Sequence, residues 1–255
     1  MIKYQRLAVA SAFSPTFASV LTDAQRFAEH CGASLDIIHA GERTEEKEQK
    51  FQEVLGRPTQ IHWVQGETPA QAIASKSSDF DLVIAGALQR DDGDKPFTSS
   101  VARDLLRRVQ GDLLLAPATG QEHQALKHAV FAIEPGKDEV DFIVEISKAL
   151  GFSRVTITSM ETPFAAALAA SRGEEPHDVR QWSDFLVEKA RAEGLDADSW
   201  IVTSNTGYSL CEAIQGMGAD LLVVKAATEG PFMPLPVHMD WLYQVIPLRL
   251  LLVKS

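Results

Sequence analysis

One α/β unit occurs twice in this chain, and that repetition constrains the fold more than any single motif. Gly66-Glu67-Thr68-Pro69-Ala70-Gln71-Ala72-Ile73, followed by Asp81-Leu82-Val83-Ile84, recurs as Gly207-Tyr208-Ser209-Leu210-Cys211-Glu212-Ala213-Ile214, followed by Asp220-Leu221-Leu222-Val223. In each copy a glycine starts a helical segment and an aspartate opens an apolar run of strand length. About thirty residues later the unit closes on a second apolar run, Leu113-Leu114-Leu115-Ala116 or Leu250-Leu251-Leu252-Val253. At 255 residues the chain holds one large domain or two of about 125, and the repeat decides for two, 1–121 and 127–255, each large enough to bury a core. The linker is placed at 119–126, a polar stretch containing Gly120.

Apolar runs alternate with helical periodicity along the first copy. Strands are predicted at 7–10, 35–39, 60–64, 82–85 and 113–116, with helices at 17–31, 45–55, 69–76 and 100–109 between them. Pro69 falls in the first turn of its helix, where a missing N–H costs little. The second copy places its strands near 129–133, 155–159, 200–203, 221–224 and 249–253. Strands that alternate with helices require a parallel sheet covered on both faces. The expected fold is therefore α/β, with two tandem open five-stranded parallel sheets, Rossmann-like, and helices on both faces of each. Each closing strand is strongly apolar and would be an unprotected edge in an isolated copy. The two sheets are therefore expected to stay distinct and pack as an internal pseudo-dimer, with a homodimer of whole chains as the next level of assembly.

Composition excludes several function classes. With 45% hydrophobic and 23% charged residues the chain reads as globular. No apolar run approaches the roughly 20 residues that cross a bilayer, and Met1-Ile2-Lys3-Tyr4-Gln5-Arg6 leads straight into a strand without a signal peptide's apolar stretch. A cytoplasmic protein without a membrane partner is expected. Cys31 and Cys211 lie at unrelated points of the two copies, as buried thiols rather than a disulfide or a metal clip, and the seven histidines show no metal-ligand spacing. A net charge of −11 argues against nucleic acid, whose phosphates need clustered Lys and Arg. Residues 1–121 carry 13 Lys+Arg against 16 Asp+Glu, and 122–255 carry 11 against 19, so an anionic ligand is better received by the first copy.

In an open α/β sheet, ligands sit at the carboxyl ends of the strands, beside the switch in strand order. That points to Ser11, Ala40 and the segment after Ala85. Gly86 allows close backbone approach, Lys95 offers a point charge, and Ser99 or Ser100 caps the next helix, whose free N–H groups form an anion cradle. The same residues also describe a capped helix after a flexible loop with no ligand at all.

On these residues the whole chain resembles the tandem universal stress proteins, whose fold is adenine nucleotide alpha-hydrolase-like. Nucleotide-binding members carry Gly-x2-Gly-x9-Gly-Ser/Thr after the fourth strand. Gly86 matches the first glycine, Gln89 and Ser99 stand where the second and third fall, and Ser100 matches the hydroxyl residue. Residues 101–109 resemble the family's last helix. The resemblance implies ATP or AMP in the first copy, against Ser11, Ala40, Gly86, Gln89, Lys95, Ser99 and Ser100. Ser11 is read at the place of an aspartate that contacts the nucleoside, and Glu134 takes that place in the second copy.

The second copy departs further, with Lys225 for Gly86 and three prolines in the loop that follows. A proline removes an N–H donor, so that loop makes a poor anion cradle. Its Phe232, Met233, Leu235 and Trp241 are expected to form an apolar interaction surface. The resemblance implies a non-enzymatic stress-response protein. A nucleotide-free scaffold is the alternative, and a slow ATPase is the least supported, since no nucleophile–base pair, Ser-Gly-Gly-x-Asp-Ser loop or His-Ile-Gly-His signature is present.

Overall fold

Two aspartates in equivalent places tie each half together. In the computed structural model Asp81 Oδ2 accepts from the backbone N–H of Gln5 (2.7 Å) and Arg6 (2.9 Å), and Asp220 Oδ2 accepts from those of Lys127 (2.8 Å) and His128 (3.0 Å). Each carboxylate thereby fixes where the first strand of its half begins against the fourth. The structure describes residues 4–11, 17–55, 59–87, 99–117, 126–161, 163, 167, 171, 179–204, 207–226, 239, 242, 244 and 248–254.

The first half runs β1 (Arg6–Ser11), α1 (Phe17–Cys31), β2 (Ser34–Ala40), α2 (Glu45–Leu55), β3 (Ile61–Val64), α3 (Pro69–Ser77), β4 (Leu82–Ala87), α4 (Ser100–Arg108) and β5 (Asp112–Pro117). The second runs β6 (His128–Ala132), α5 (Val140–Ala149), β7 (Arg154–Glu161), α6 (Val179–Ala192), β8 (Asp196–Thr203), α7 (Gly207–Gly216), β9 (Leu221–Lys225) and β10 (Arg249–Val253). Strand order is β3-β2-β1-β4-β5-β10-β9-β6-β7-β8, so each half has the same order about its own first strand. All pairings within a half are parallel. The predicted elements appear within a few residues of their expected ends, and β4 extends through Gly86 and Ala87 instead of stopping before them.

The α/β architecture with parallel halves is as expected, but the sheets do not stay separate. β5 and β10 pair antiparallel, Leu113 with Leu252, Leu114 with Leu251 and Leu115 with Leu250, and the two halves form one ten-stranded sheet. All six leucines are fully buried. Packing the halves face to face would have left both apolar edges with unpaired N–H and C=O groups, and direct pairing satisfies both. Because the seam is antiparallel, the carboxyl ends of the two halves point to opposite edges of the sheet.

Side chains across the seam reinforce it. Arg249 on β10 makes a two-pronged contact with Asp23 on α1, Nε to Oδ2 at 3.2 Å and Nη2 to Oδ1 at 3.1 Å, with both side chains largely buried. Asp112 accepts from the Tyr4 hydroxyl (2.8 Å) and from the Lys254 backbone N–H (2.7 Å).

Helices cover both faces, so strands buried on each side read as unbroken apolar runs. On one face Leu82 and Ile84 belong to a continuous apolar cluster that includes Phe17 and Phe51 of α1 and α2 and runs on to Ile143 and Leu186 of α5 and α6. On the other face Val83 and Ala85 belong to a cluster that includes Ile73 and Leu105 of α3 and α4 and runs on to Leu210 of α7. Each of these cores continues across the seam. No helix among the described residues is long and apolar enough to cross a membrane.

Candidate functional site

The first half opens where its strand order reverses. β1 pairs with β2 as far as Ser11 and His39, but with β4 only from Leu7–Leu82 to Val9–Ile84. β4 meanwhile stays paired with β5 to Ala87 and Pro117. The strands therefore part beyond Val9 and Ile84, with Ser11 and Gly86 on the two lips, and a crevice at this switch point is where α/β sheets receive ligands.

Beside it lies a cleft of about 260 Å³ lined by Ala40, Gly41, Glu42, Val64, Gln65, Gly66, Thr68, Pro69 and Ala72. Local sequence builds it. Thr68 caps α3, its side chain accepting from the Gln71 N–H at 3.2 Å, and Pro69 occupies the first turn. Gly66 passes so close to α3 that a Cβ there would stand 2.9 Å from the Ala72 nitrogen. Ala40, Val64, Pro69 and Ala72 offer an apolar wall for a flat ring, and Glu42, Gln65 and Thr68 offer a polar rim. The volume lies just below the roughly 300 to 1,000 Å³ of pockets for drug-sized ligands, which suits a base and sugar with the rest of a ligand outside.

On the opposite face of β2, His39 packs edge-to-face with Phe51 and Trp63, ring centroids 5.4 and 4.9 Å away. Burial, and then the nearby Lys47 ammonium, push the imidazole down to about 4. A neutral, 2% exposed ring braces the cleft from behind. Both cysteines are free, and burial pushes each thiol up to about 11, far from the thiolate a nucleophile requires.

Of the residues expected at the site, Ala40 lines the cleft. Ser11 is buried, and by strand alternation from Val9 its side chain lies on the α1 side of the sheet, away from that cleft. Ser99 caps α4, its Oγ accepting from the Ala102 N–H at 3.0 Å, and Ser100 is the first residue of the helix. Ser99 has φ −65°, so a side chain there is unstrained. α3 and α4 pack together, and both present their N-termini to the edge of the sheet that holds the cleft. Gln89 and Lys95 lie outside the described residues, as do Phe232, Met233, Leu235 and Trp241 of the expected apolar surface. Met239, within that stretch, and Leu242, just after it, are fully buried in the core shared with α3, α4 and α7.

Of the cleft's lining, the sequence pointed to Ala40 alone as a site residue; Gly41, Glu42, Val64, Gln65, Gly66, Thr68, Pro69 and Ala72 were not expected there. The signal for part of them was the repeated segment itself, since its Gly66, Thr68, Pro69 and Ala72 line one side of the cleft.

Registers also place the two halves in exact correspondence. Leu7 pairs with Leu82 and Leu35, and Ala129 pairs with Leu221 and Val155. Continued along the strands, Ser11 matches Ile133, and Glu134 matches residue 12, which corrects the equivalence of Ser11 and Glu134 by one position. Glu134 is half-exposed and ion-paired with Lys137 at 2.6 Å. The same registers match Ala40 to Met160 and Gly86 to Lys225. Lys225 is no free lysine at a strand end: its Nζ lies 2.5 Å from Glu139 Oε2 and 5.4 Å from the centroid of Phe142.

No protein-family model matches the sequence, and no curated protein matches it. Solved structures match its fold. A universal stress protein from Archaeoglobus fulgidus DSM 4304 superposes with a TM-score of 0.68 at 13% identity, covering 98% of both chains. A putative universal stress protein from Pseudomonas aeruginosa UCBPP-PA14 gives 0.68 at 12% identity over 98% of this chain and 93% of its own. A functionally unknown protein from Pseudomonas aeruginosa PAO1 gives 0.68 at 12% over 99% and 93%. Over nearly its whole length, the chain has the fold of the universal stress proteins.

Proposed function

We propose that this chain is a non-enzymatic, cytoplasmic stress-response protein that binds one adenine nucleotide, ATP or AMP, in its first half. The observation that carries the reading is the open crevice between β1 and β4 with the adjoining cleft behind Ala40. The base and sugar occupy the cleft against Ala40, Val64, Pro69 and Ala72. The phosphates extend over Gly86 toward Ser99 and Ser100, where the free N–H groups and positive end of α4 favour an anion. The first half carries the smaller share of the chain's net charge, which also favours an anionic ligand there.

Calorimetric titration with ATP tests this. One site per chain is expected, and Gly86→Val with Ser100→Ala abolishes it, the first by filling the path of the phosphates and the second by removing a hydroxyl worth about 1 kcal/mol. Two equivalent sites, or binding untouched by the double change, would defeat the assignment.

A nucleotide-free interaction protein is the second reading. Three aromatic side chains of the second half, Phe185, Trp200 and Tyr208, are 43%, 55% and 54% exposed, and large exposed rings favour partner contacts. Under that reading the titration shows no heat, and replacing Trp200 with serine weakens self-association measured by sedimentation.

A further inference from the structure

We propose that the Glu42 carboxylate reads the sugar of the bound nucleotide, accepting hydrogen bonds from the adjacent ribose hydroxyls, so that the site selects ribonucleotides whose diol is intact. The inference rests on the nucleotide reading of the first half and deepens it.

Glu42 is the only ionisable side chain among the described residues that line the cleft. It stands just past the end of β2, at the carboxyl edge of the sheet. The turn that carries it is closely specified. Gly41 donates its N–H to the Val64 carbonyl at 2.9 Å, which extends the β2–β3 pairing to the rim of the cleft. Gly41 has φ 146°, where side chains are strained, and a Cβ there would stand 3.1 Å from His39 Nε2 and 3.3 Å from Lys47 Nζ. Lys47 in turn donates from its ammonium to the Glu42 carbonyl at 3.0 Å and from its backbone N–H to the Thr44 hydroxyl at 3.3 Å. The backbone of Glu42 is thereby anchored.

Its carboxylate is not used up by the anchoring. The neighbouring cations are committed elsewhere: Arg43 pairs with Glu48 at 2.5 Å, Lys50 pairs with Glu46 at 2.8 Å, and Lys47 holds the Glu42 carbonyl rather than its carboxylate. Among the described residues, none is ion-paired with the Glu42 carboxylate. An ionised carboxylate only accepts hydrogen bonds, so it favours hydroxyl groups and repels phosphates. That fixes the direction of the ligand, with the sugar at Glu42 and the phosphates directed away from it toward α4. The two carboxylate oxygens match the two adjacent hydroxyls of a ribose. Other polar groups are less suited: the Ser11 side chain lies on the other face of the sheet, Gln65 is neutral, and the Thr68 hydroxyl already accepts from the Gln71 N–H. In dinucleotide-binding α/β folds an acidic side chain beyond the glycine-rich turn meets the ribose in the same way.

The test is calorimetric titration of wild type, Glu42→Gln and Glu42→Ala with AMP, with dideoxy-AMP that lacks both ribose hydroxyls, and with AMP carrying a second phosphate on the 2′ oxygen. Thermal melting checks folding, and Glu42 is exposed, so both variants are expected to melt as wild type does. Wild type is expected to bind dideoxy-AMP about tenfold more weakly than AMP, the scale of a hydrogen bond to a charged group. Glu42→Ala is expected to bind the two alike, with Glu42→Gln, which keeps one acceptor oxygen, in between. The 2′-phosphorylated ligand is expected to gain on AMP in both variants, because the repelling charge is gone. A purely structural role for Glu42 would weaken all three ligands together. A folded variant that separates AMP from dideoxy-AMP as strongly as wild type does, or a wild type that binds both alike, overturns the proposal and leaves the nucleotide reading standing. No binding of AMP by wild type overturns both. Should Glu42→Ala not fold, Glu42→Gln decides alone: undiminished discrimination, with no gain for the 2′-phosphorylated ligand, overturns the proposal.

Discussion

Acidification should destabilise this protein through His39 more than through an ordinary histidine, and the effect can be isolated. The ring is 2% exposed, wedged between Phe51 and Trp63, and its folded-state value is about 4 against 6.5 for the free side chain. A depressed folded value means that the unfolded chain binds the proton more readily. The neutral ring's contribution is therefore fully present above pH 6.5 and is lost as pH falls toward 4. Linkage between those two values puts the loss between pH 7 and pH 5 at about 2 kcal/mol, or about 4 to 8 °C in melting temperature for a chain of this size. His39→Phe keeps an edge-to-face ring in the cluster and removes the titration. Thermal melts of both proteins at pH 7 and pH 5 give the contribution by difference, because His128, whose imidazole burial also pushes down, titrates in both. A variant that loses as much stability on acidification as wild type would refute the argument.

Two further outcomes follow from packing. Asp23→Ala leaves the Arg249 guanidinium buried without its carboxylate and should cost about 3 to 5 kcal/mol in chemical unfolding, whereas Asp23→Leu with Arg249→Met should be near neutral. A cost below about 1 kcal/mol for the single change would mean that the pair does not bridge the seam in solution. Gly66→Ala places a Cβ 2.9 Å from the Ala72 backbone nitrogen and should cost roughly 1 to 3 kcal/mol by overpacking, with a matching fall in melting temperature. An unchanged melting temperature would show that the first turn of α3 can retreat.

Much of the fold was legible because burial on both faces writes strands as apolar runs and helices as periodic stretches between them. The helices at 17–31 and 45–55 appear with those bounds. The seam was harder to read. Leu113, Leu114, Leu115 and their counterparts mark an edge that must be covered, but an apolar run does not say whether a neighbour pairs with it or packs over it. The one-position error at Ser11 has a similar cause: a run of apolar residues buried on both sides carries no alternation to fix its register, which the clamps from Asp81 and Asp220 set instead. The cleft was least visible. Its lining is mostly small residues and backbone from the ends of β2 and β3 and the start of α3, and such residues have no distinctive chemistry until the sheet assembles them. Lys225 was hidden for the opposite reason, since a lysine after an apolar run reads as solvated until Glu139 and Phe142 are seen beside it.

The central claim is that the cleft behind Ala40 receives the base of an adenine nucleotide. The most direct measurement is equilibrium titration of wild type and Ala40→Met with AMP and with ATP, because that change places in the first half the side chain found at the matched position of the second. Wild type should bind one equivalent of either nucleotide, and Ala40→Met should bind neither while melting within a few degrees of wild type. Equal binding by both proteins, or no binding by wild type, would contradict the account.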